Sequence, residues 1–405
     1  MMTCEGERTV MEERKGNPVP AVLLHGLGGW GEADGLDRRF HYRYWGFDTG
    51  ERDLAAYWRE RGIEVYCPSL GPFTSAWDRA CELWAYVVGG TVDFGKRHSQ
   101  VHGHKRFGRT YPGVMKDLGQ AGPHAVIDLI GHSFGGPTAI VFAHLLANGS
   151  EQEREATDPA ALSPLFAGGH HFVRAVVTLS GANNGTTFAD FFGEKGIRLL
   201  ASAIYSANAL AAGTPLMGLL DFHTDQWEIM GRPGARRPQP SLSVRRKGVR
   251  ALTAQKLDNV GHELQVAYAA QINRTIRPSP ATYYFAFRGC RTHEDGKGRQ
   301  VPDKDMRKIL KLWSTVIGRY RPAKLKEFGF DDSWLPSDGI VNVKCLGAPF
   351  GQPARDYTEG ETPVPGVWYE MPVEDKHHMS WVGIGETAQS FYRFYDGLRE
   401  LLDRC

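Results

Sequence analysis

The chain has 405 residues, of which 41% are hydrophobic and 23% are charged, and this composition excludes global disorder. Lys and Arg (48) nearly balance Asp and Glu (46), so no overall charge favours nucleic acid as a partner. The N-terminus, MMTCEGERTVMEERKGNPVP, lacks the apolar core of a signal peptide, and no apolar run is long enough to span a membrane, which predicts a soluble chain with no transmembrane segment.

The cysteines indicate no special chemistry. All six are scattered without CxxC spacing, which predicts neither a cysteine-rich zinc site nor a disulfide scaffold. We expect an N-terminal arm over residues 1–17, followed by one domain over residues 18–405.

The first predicted strand runs into a glycine-rich loop. Pro18 to Leu24 is short and apolar, and HGLGGW follows it at residues 25–30. In folds with a nucleophile elbow, the loop after an early strand donates one backbone N–H to an oxyanion. Leu27 would be that donor here, and the alternative is a glycine-rich turn that binds nothing.

Strands and helices then alternate. The spacing of Leu54, Tyr57 and Trp58 predicts an amphipathic helix from Asp53 to Arg61, and residues 63–66 form another short apolar strand. This alternation predicts an α/β fold with a mainly parallel central sheet flanked by helices.

A polar stretch from Ser75 to Gly113 gathers candidate metal ligands. They are Asp78, His98, His102 and His104. Imidazole and carboxylate suit zinc, but histidines in a polar loop are often solvated. Spacing alone leaves metal binding and a solvated loop equally open.

The central motif of the chain is HAVIDLIGHSFGG at residues 124–136. Its apolar half predicts a buried parallel strand, and the glycines around Ser133 permit a sharp turn into a helix from Pro137 to Asn148. A serine on that turn points its hydroxyl above the sheet, where a histidine can deprotonate it. Phe134 would then supply a second oxyanion N–H. The alternative is a serine in an ordinary strand-to-helix connection.

The second half of the chain continues the pattern less regularly. Strands are predicted at residues 175–179 and 282–287, and helices around residues 251–271 and 306–317. The Ala- and Leu-rich stretch from Phe188 to Leu220 suits core helices or a cover over a pocket. The basic stretch from Arg236 to Arg250 contains prolines and predicts a solvated loop, with contact to an anionic lipid surface as the alternative.

An elbow serine needs an acid and a histidine later in the chain. Asp338, in a turn beside an apolar segment, is the strongest acid candidate. The alternatives are Asp331, Asp332 and Asp375. His377 and His378 are adjacent candidates for the base, and only one of them can face Ser133 because neighbouring side chains point in different directions.

Several segments together carry a specific resemblance. HGLGGWG, WDRACE, VGGTVDFG, HGHKRFGRTYPG and SPLFAGGHHFV are similar to the thermophilic Bacillus and Staphylococcus lipases, over most of the chain from Pro18 to Gly383. The resemblance implies an α/β-hydrolase fold with a catalytic triad of Ser133, Asp338 and His378. His378 is favoured because Gly383 matches the glycine five positions after the family's catalytic histidine.

The resemblance also implies a structural zinc ion within the insertion of residues 75–113. Its ligands would be Asp78, His98, His104 and Asp225. Four protein ligands leave no open position for catalysis. His102 and His223 are expected to be bystanders.

Two further family features bear on this sequence. Residues 187–225 match the helical lid that covers the active site and opens at an oil–water interface. Relatives bind calcium through acids two and seven positions beyond the histidine, but Ser380 and Gly385 stand there, with Glu386 one position displaced. Calcium is therefore left out of the predicted cofactors.

The sequence thus predicts a lipase that cleaves triacylglycerols at a lipid–water interface through an acyl-enzyme. A carboxylesterase or phospholipase acting on soluble or charged esters is the alternative, and a non-catalytic lipid-binding protein is a third hypothesis. Secretion is expected from the resemblance if the chain is a mature form.

Overall fold

The computed structural model describes residues 18–32, 34–48, 51–232, 238–255 and 258–405, so the predicted N-terminal arm, residues 1–17, lies outside the described residues. In chain order the strands are β1 (Ala21–Leu24), β2 (Val65–Tyr66), β3 (Gly90–Asp93), β4 (Phe107–Tyr111), β5 (Ile127–His132), β6 (Val173–Leu179), β7 (Tyr283–Gly289), β8 (Thr292–Glu294), β9 (Gln300–Pro302), β10 (Ala354–Asp356) and β11 (Trp368–Glu374). Seven of them form one sheet in the order β10-β11-β7-β6-β5-β1-β2. Every neighbouring pair in this sheet is parallel.

Helices fill most of the connections between strands. They are α1 (Gly35–Phe40), α2 (Leu54–Arg59), α3 (Ala76–Val88), α4 (Lys96–His102), α5 (Gly135–Asn148), α6 (Glu151–Ala156), α7 (Pro164–Ala167), α8 (Thr187–Ala211), α9 (Leu242–Thr253), α10 (Val260–Glu263), α11 (Val266–Asn273), α12 (Lys308–Ile317), α13 (Val343–Leu346) and α14 (Ala388–Leu402). Short 3-10 turns occupy Pro159–Ala161, Pro215–Gly218, Ala323–Phe328, Asp332–Trp334 and Ser380–Val382.

Side chains of the central strands alternate between two hydrophobic cores. In β1, Val22 and Leu24 pack in one core with α3 and α5, whereas Ala21 and Leu23 pack in the other with α2 and α14. Both faces of the sheet are therefore covered, as a parallel sheet requires. The predicted α/β fold with a mainly parallel sheet flanked by helices is confirmed.

The predicted insertion, residues 75–113, folds as α3, the antiparallel pair β3 and β4, and α4 between those two strands. The predicted lid region, residues 187–225, contains the long helix α8 and the 3-10 turn that follows it. Gly193 has φ 60° and ψ 177°, which bends α8 near its start. Among the described residues, no helix has both the length and the apolar character needed to cross a bilayer.

The prediction of a solvated loop over Arg236 to Arg250 is wrong for its second half. Helix α9 begins at Leu242, and it buries Val249 and Leu252 against α8. Basic residues line the exposed side of this helix, so they mask an amphipathic pattern whose apolar residues are sparse.

Candidate active site

Ser133 lies on a sharp turn between β5 and α5. Its φ of 56° is in the left-handed region, which non-glycine residues rarely adopt. The turn is held because Ser133 N–H donates to Leu179 O at 3.0 Å and Gly136 N–H donates to Ser133 O at 3.0 Å. This backbone directs the hydroxyl away from the end of the sheet, as a nucleophile elbow requires.

Two glycines leave the space that this turn needs. A Cβ on Gly26 would lie 2.7 Å from Ser133 Cβ, and a Cβ on Gly135 would lie 2.2 Å from Leu24 O. The ends of β1 and β5 can therefore approach the elbow closely only because neither position carries a side chain.

Asp338 and His378 form a buried pair. His378 Nδ1 lies 2.7 Å from Asp338 Oδ2, and the backbone N–H of His378 also donates to Asp338 O at 2.8 Å. The other carboxylate oxygen, Oδ1, accepts the N–H groups of Ile340 and Val341 at 2.9 and 2.8 Å. All acceptor groups of the Asp338 carboxylate are thus engaged, which fixes the orientation of the imidazole.

The electrostatics of this pair keep the carboxylate ionised. Burial alone would raise the pKa of Asp338, but the charge of His378 and its hydrogen bond, together with two backbone N–H donors, hold this pKa below its ordinary value. An ionised Asp338 can therefore stabilise a positive charge that develops on His378.

The backbone also brings His378 to the elbow. His132, the residue before Ser133, lies with Nε2 2.8 Å from the carbonyl oxygen of His378, and the two imidazole centroids are 5.0 Å apart. In the described part of the chain, Ser133 Oγ makes no hydrogen bond to His378. Hydrogen bonds between nucleophile and base are often long before substrate binds.

The two predicted oxyanion donors flank the same serine. Phe134 follows Ser133 at the start of α5 and is buried, whereas Leu27 lies in the loop after β1 with an exposed side chain. Among the described residues, neither backbone N–H donates to a protein acceptor. Both donors are therefore available to an external oxygen atom.

One hydrogen-bonded relay joins the glycine-rich loop to the elbow, and the sequence did not predict it. The N–H of Gly26 donates to the hydroxyl of Tyr44 at 2.8 Å, and that hydroxyl lies 2.7 Å from His132 Nδ1. The carbonyl oxygen of His378 can only accept, so Nε2 of His132 carries the hydrogen and donates to it, and Nδ1 accepts the hydroxyl hydrogen of Tyr44. Burial and the nearby His378 lower the pKa of His132 to about 3, so His132 is neutral.

The rival candidates lie elsewhere. His377 is largely buried rather than solvated, and its Nδ1 accepts the N–H of Met379 at 3.2 Å. Asp331 caps a 3-10 turn by accepting from Ser333, Asp332 pairs with Arg321, and Asp375 pairs with Arg291. None of these acids contacts His378.

A second cluster of titratable side chains lies where the insertion meets the residues before α10. Asp78 on α3, His98 on α4, His104 after α4 and Asp258 before α10 place one ligand atom each within 4.8 Å of one another. His98 Nε2 lies 3.6 Å from Asp78 Oδ1 and 3.4 Å from Asp258 Oδ1, and His104 Nε2 lies 3.5 Å from Asp258 Oδ2.

The cluster fits a metal ion better than it fits an ion-pair network. The facing atoms are buried without hydrogen-bond partners: Asp78 Oδ1, His98 Nε2, His104 Nε2 and both carboxylate oxygens of Asp258. Ligands about 2.0–2.2 Å from a tetrahedral zinc ion lie about 3.3–3.6 Å apart, which matches the three distances between His and Asp atoms given above. His104 Nδ1 donates to Lys105 O at 2.8 Å, leaving its Nε2 lone pair free.

Of the four predicted zinc ligands, the structure brings together Asp78, His98 and His104, and Asp258 rather than Asp225 completes the cluster. Asp225 instead accepts from Arg109 Nε at 2.8 Å. The two residues that follow Asp225 in the chain do contact the cluster: Gln226 Nε2 donates to Asp78 Oδ2 at 2.7 Å, and the Trp227 ring lies 4.7 Å from the His104 ring. The DQW segment therefore borders the cluster through its second and third residues.

The remaining candidates stay outside both sites. His102 faces Gln255, and His223 faces Glu82 with Nδ1 3.0 Å from Oε2. Near Ser380 and Gly385, the Glu386 carboxylate lies 3.7 Å from the Lys376 ammonium group. A cation of the protein itself thus faces the nearest acid there.

Comparisons with known proteins identify the family of the chain. A family model described as "Lipase-like, C-terminal domain" matches residues 17–403. A "Lipase" of Staphylococcus epidermidis is 31% identical over 403 residues, which cover 97% of this chain and 55% of the relative. The chain therefore spans about half the length of the curated relatives that it matches.

Two solved structures superpose over almost the whole of this chain. Staphylococcus hyicus lipase superposes with a TM-score of 0.81 at 28% identity, covering 96% of this chain and 97% of that chain. EstA from Clostridium botulinum superposes with a TM-score of 0.77 at 31% identity, covering 96% of this chain and 88% of that chain.

Proposed function

The chain belongs to the family of lipase-like C-terminal domains, and from this premise we propose that it hydrolyses carboxylic esters of lipids, with triacylglycerols as its main substrates. The observation that carries the proposal is the elbow geometry of Ser133 beside the Asp338–His378 pair. Secretion stays a prediction from the sequence.

In the proposed mechanism, Ser133 Oγ attacks the ester carbonyl while His378 Nε2 takes the hydroxyl proton. Asp338 holds the imidazole in place through Nδ1 and stabilises its positive charge. The N–H groups of Leu27 and Phe134 stabilise the tetrahedral oxyanion. His378 then gives the proton to the departing alcohol, and a water molecule activated by His378 releases the fatty acid from the acyl-enzyme.

Replacing the nucleophile tests this mechanism directly. Ser133→Ala should lower kcat for a soluble p-nitrophenyl butyrate by about 10⁴-fold or more, because the acyl-enzyme can no longer form. Labelling by a fluorophosphonate should also be lost. Hydrolysis by the variant at the parent rate would reject the proposal.

Ser180 offers a matched control for that variant. It follows β6, the strand next to β5, and has a φ of 44°. Its hydroxyl accepts from Trp381 Nε1 at 2.7 Å. Ser180→Ala should retain kcat within about tenfold, since it loses one hydrogen bond and no reacting atom.

The exposed apolar side chains of α8 favour aggregated substrates over dissolved ones. Phe191, Phe192, Leu199, Leu200 and Leu210 are exposed along this helix. A lipase should accelerate when one ester is raised above its solubility limit, whereas a carboxylesterase should not. Hydrolysis rates measured across that limit separate the two activities.

We also propose that Asp78, His98, His104 and Asp258 bind a structural zinc ion. Two imidazoles and two carboxylates are a suitable donor set, and their facing atoms are buried without other partners. With four protein ligands, the ion would supply a cross-link between segments and would leave no position for substrate.

A further inference from the structure

Helix α8 carries apolar side chains on its buried side and also along its exposed side. Its inner side packs Ala201, Tyr205 and Ala209 against residues around α9. Its outer side exposes 74% of Leu199 and 67% of Leu210, with Ala203 and Ala207 between them at helical spacing. An outer stripe of this kind is unusual on a surface in contact only with water.

Helix α12 continues the apolar surface beside the first turns of α8. It buries Leu310 and Ile317 but exposes 50% of Ile309 and 61% of Leu312. Its Trp313 ring lies 5.4 Å from the Phe188 ring of α8. The exposed aliphatic side chains of α12 therefore lie near the exposed Phe191 and Phe192 region.

Helix α9 continues the apolar surface at the other end of α8. Arg245 Nη1 donates to Ala209 O and Ala212 O at 2.9 and 2.8 Å, which fixes α9 to the last turn of α8. Leu242 and Val244, on the first turn of α9, are exposed. Apolar exposure thus extends along α8 and onto both neighbouring helices.

Positive charge accompanies the apolar residues on both neighbours. Residues 304–326, which include α12, contain eight Lys or Arg and one Asp, in a chain whose net charge is only +2. On α9, Arg246, Lys247 and Arg250 are exposed. Within the described ranges, no carboxylate forms an ion pair with Arg307, Lys308, Arg246 or Lys247, so these charges are not used by the fold. The acid nearest in sequence to Arg307 and Lys308 is Asp305, which pairs with Arg291, and the acid nearest to Arg246 and Lys247 is Asp258, which lies in the proposed metal site.

We propose that α8, α9 and α12 form a docking face for a lipid surface that carries negatively charged headgroups. A lipid surface accepts exposed side chains from three separate helices without requiring a groove of matching shape. Unpaired cations at both ends of an apolar stripe are complementary to anionic headgroups. The inference deepens the proposed function, on which it rests, by naming the kind of lipid surface.

Vesicle binding tests the docking face independently of hydrolysis. The full chain is mixed with vesicles of diether phosphatidylcholine, with or without about 30% diether phosphatidylglycerol, which makes the surface strongly negative. Vesicles and bound protein are then collected by sedimentation. These ether lipids contain no carboxylic ester for the proposed triad to cleave. We expect much stronger binding to the anionic vesicles, and a fall in that binding as NaCl is raised.

Charge variants locate the contact. Arg307→Gln/Lys308→Gln on α12 and Arg246→Gln/Lys247→Gln on α9 should each weaken binding to anionic vesicles by about thirtyfold, because two charges near the surface are lost. Ile309→Ser/Leu312→Ser should weaken binding to both kinds of vesicle. Hydrolysis of soluble p-nitrophenyl butyrate should be unchanged in all three variants.

The matched control is Arg393→Gln/Arg404→Gln on and just after α14, where both side chains are exposed outside the docking face. This variant removes the same charge and should bind as the parent does. Equal binding to neutral and anionic vesicles, or equal losses in the control and the α9 and α12 variants, would overturn the docking face. Loss of soluble ester hydrolysis in Ser133→Ala would still support the proposed function in that case.

Discussion

His132 connects three parts of the candidate site although it touches no substrate atom in the proposed mechanism. Through Tyr44 it is linked to Gly26 in the glycine-rich loop, and through Nε2 it is linked to the backbone of His378. Its peptide bond continues directly into Ser133. The relay therefore sets the relative positions of the oxyanion loop, the elbow and the histidine loop.

Tyr44→Phe should loosen this arrangement. The variant leaves the N–H of Gly26 and Nδ1 of His132 buried without partners, which costs about 1–3 kcal/mol of unfolding free energy. We expect kcat for a soluble ester to fall about tenfold with little change in KM, because the oxyanion N–H groups are displaced. Steady-state kinetics and thermal unfolding measure both effects.

Tyr57→Phe is the control, because the Tyr57 hydroxyl donates to Asp396 on the surface, at 2.8 Å and far from the site. Its kcat should match that of the parent. A Tyr44→Phe variant with unchanged kcat would show that the relay has no positioning role.

The limits of sequence reasoning are clearest at individual residues. Ser133 and Asp338 could be singled out because each lies in a local motif at the end of an apolar segment. Asp258 could not, because its partners lie far away in the chain and only the packing of α10 against α8 brings it to the cluster. Tyr44 was missed for the same reason, since its hydrogen bonds exist only after the loops have folded together.

At the scale of elements, the proposed metal site is a junction. Its candidate ligands come from α3, from α4 and the turn after it, and from Asp258, two residues before α10. A bound ion would hold these elements together where their charged side chains are otherwise unpaired. Metal binding should therefore contribute to the stability of the insertion.

Metal analysis tests the assignment of Asp258. The parent protein should contain about one zinc ion per chain, and Asp258→Asn should lose it and unfold at a lower temperature. Asp225→Asn should keep the zinc, because Asp225 pairs with Arg109 and not with the cluster. Loss of zinc in the Asp225 variant, and not in the Asp258 variant, would restore the original sequence prediction.

Two glycines in helices should respond oppositely to alanine. Gly397 in α14 is exposed, and a Cβ there would meet no atom within 4 Å, so Gly397→Ala should raise the free energy of unfolding by about 0.5–1 kcal/mol. Gly135→Ala should destabilise the protein, since its Cβ would lie 2.2 Å from Leu24 O. Chemical denaturation of the two variants measures the contrast, and a stable Gly135→Ala would contradict the packing of the elbow.

Elements with a strong local pattern were predicted well, and those defined by packing were not. Strands β1, β5 and β6 coincide with apolar runs that are visible in the sequence. Helix α9 was missed because only a few of its residues are apolar, and the pairing of β3 with β4 was not predicted because their sequences are short and polar.

On the scale of the whole molecule, the sheet is one parallel layer between two cores, and the three residues of the proposed triad follow its strands or lie in loops at their carboxyl ends. Order along the chain was enough to predict this class of fold, because parallel strands require crossover helices. The exact sheet order and the docking face depend on tertiary contacts and are not encoded in any local pattern.

The acid stability of the whole molecule should depend on His132. The unfolded chain takes up a proton on this imidazole below the ordinary pKa of 6.5, whereas the folded chain does so only near pH 3. The contribution of His132 to the free energy of unfolding is therefore complete above about pH 6.5. It is lost as pH falls toward 3, by about 1.4 kcal/mol per pH unit. Urea unfolding at several pH values should show a shallower dependence for His132→Gln, and identical slopes would contradict a neutral, buried His132.

The two edge strands of the central sheet have a practical consequence. β2 contains only Val65 and Tyr66, and β10 is short, exposed and charged at Arg355 and Asp356. Such borders give a second copy too little unpaired backbone to add a strand, so fibril growth from the sheet is disfavoured. Aggregation in concentrated solutions should therefore begin at the exposed apolar side chains of α8 and α12, and a mild detergent should reverse it.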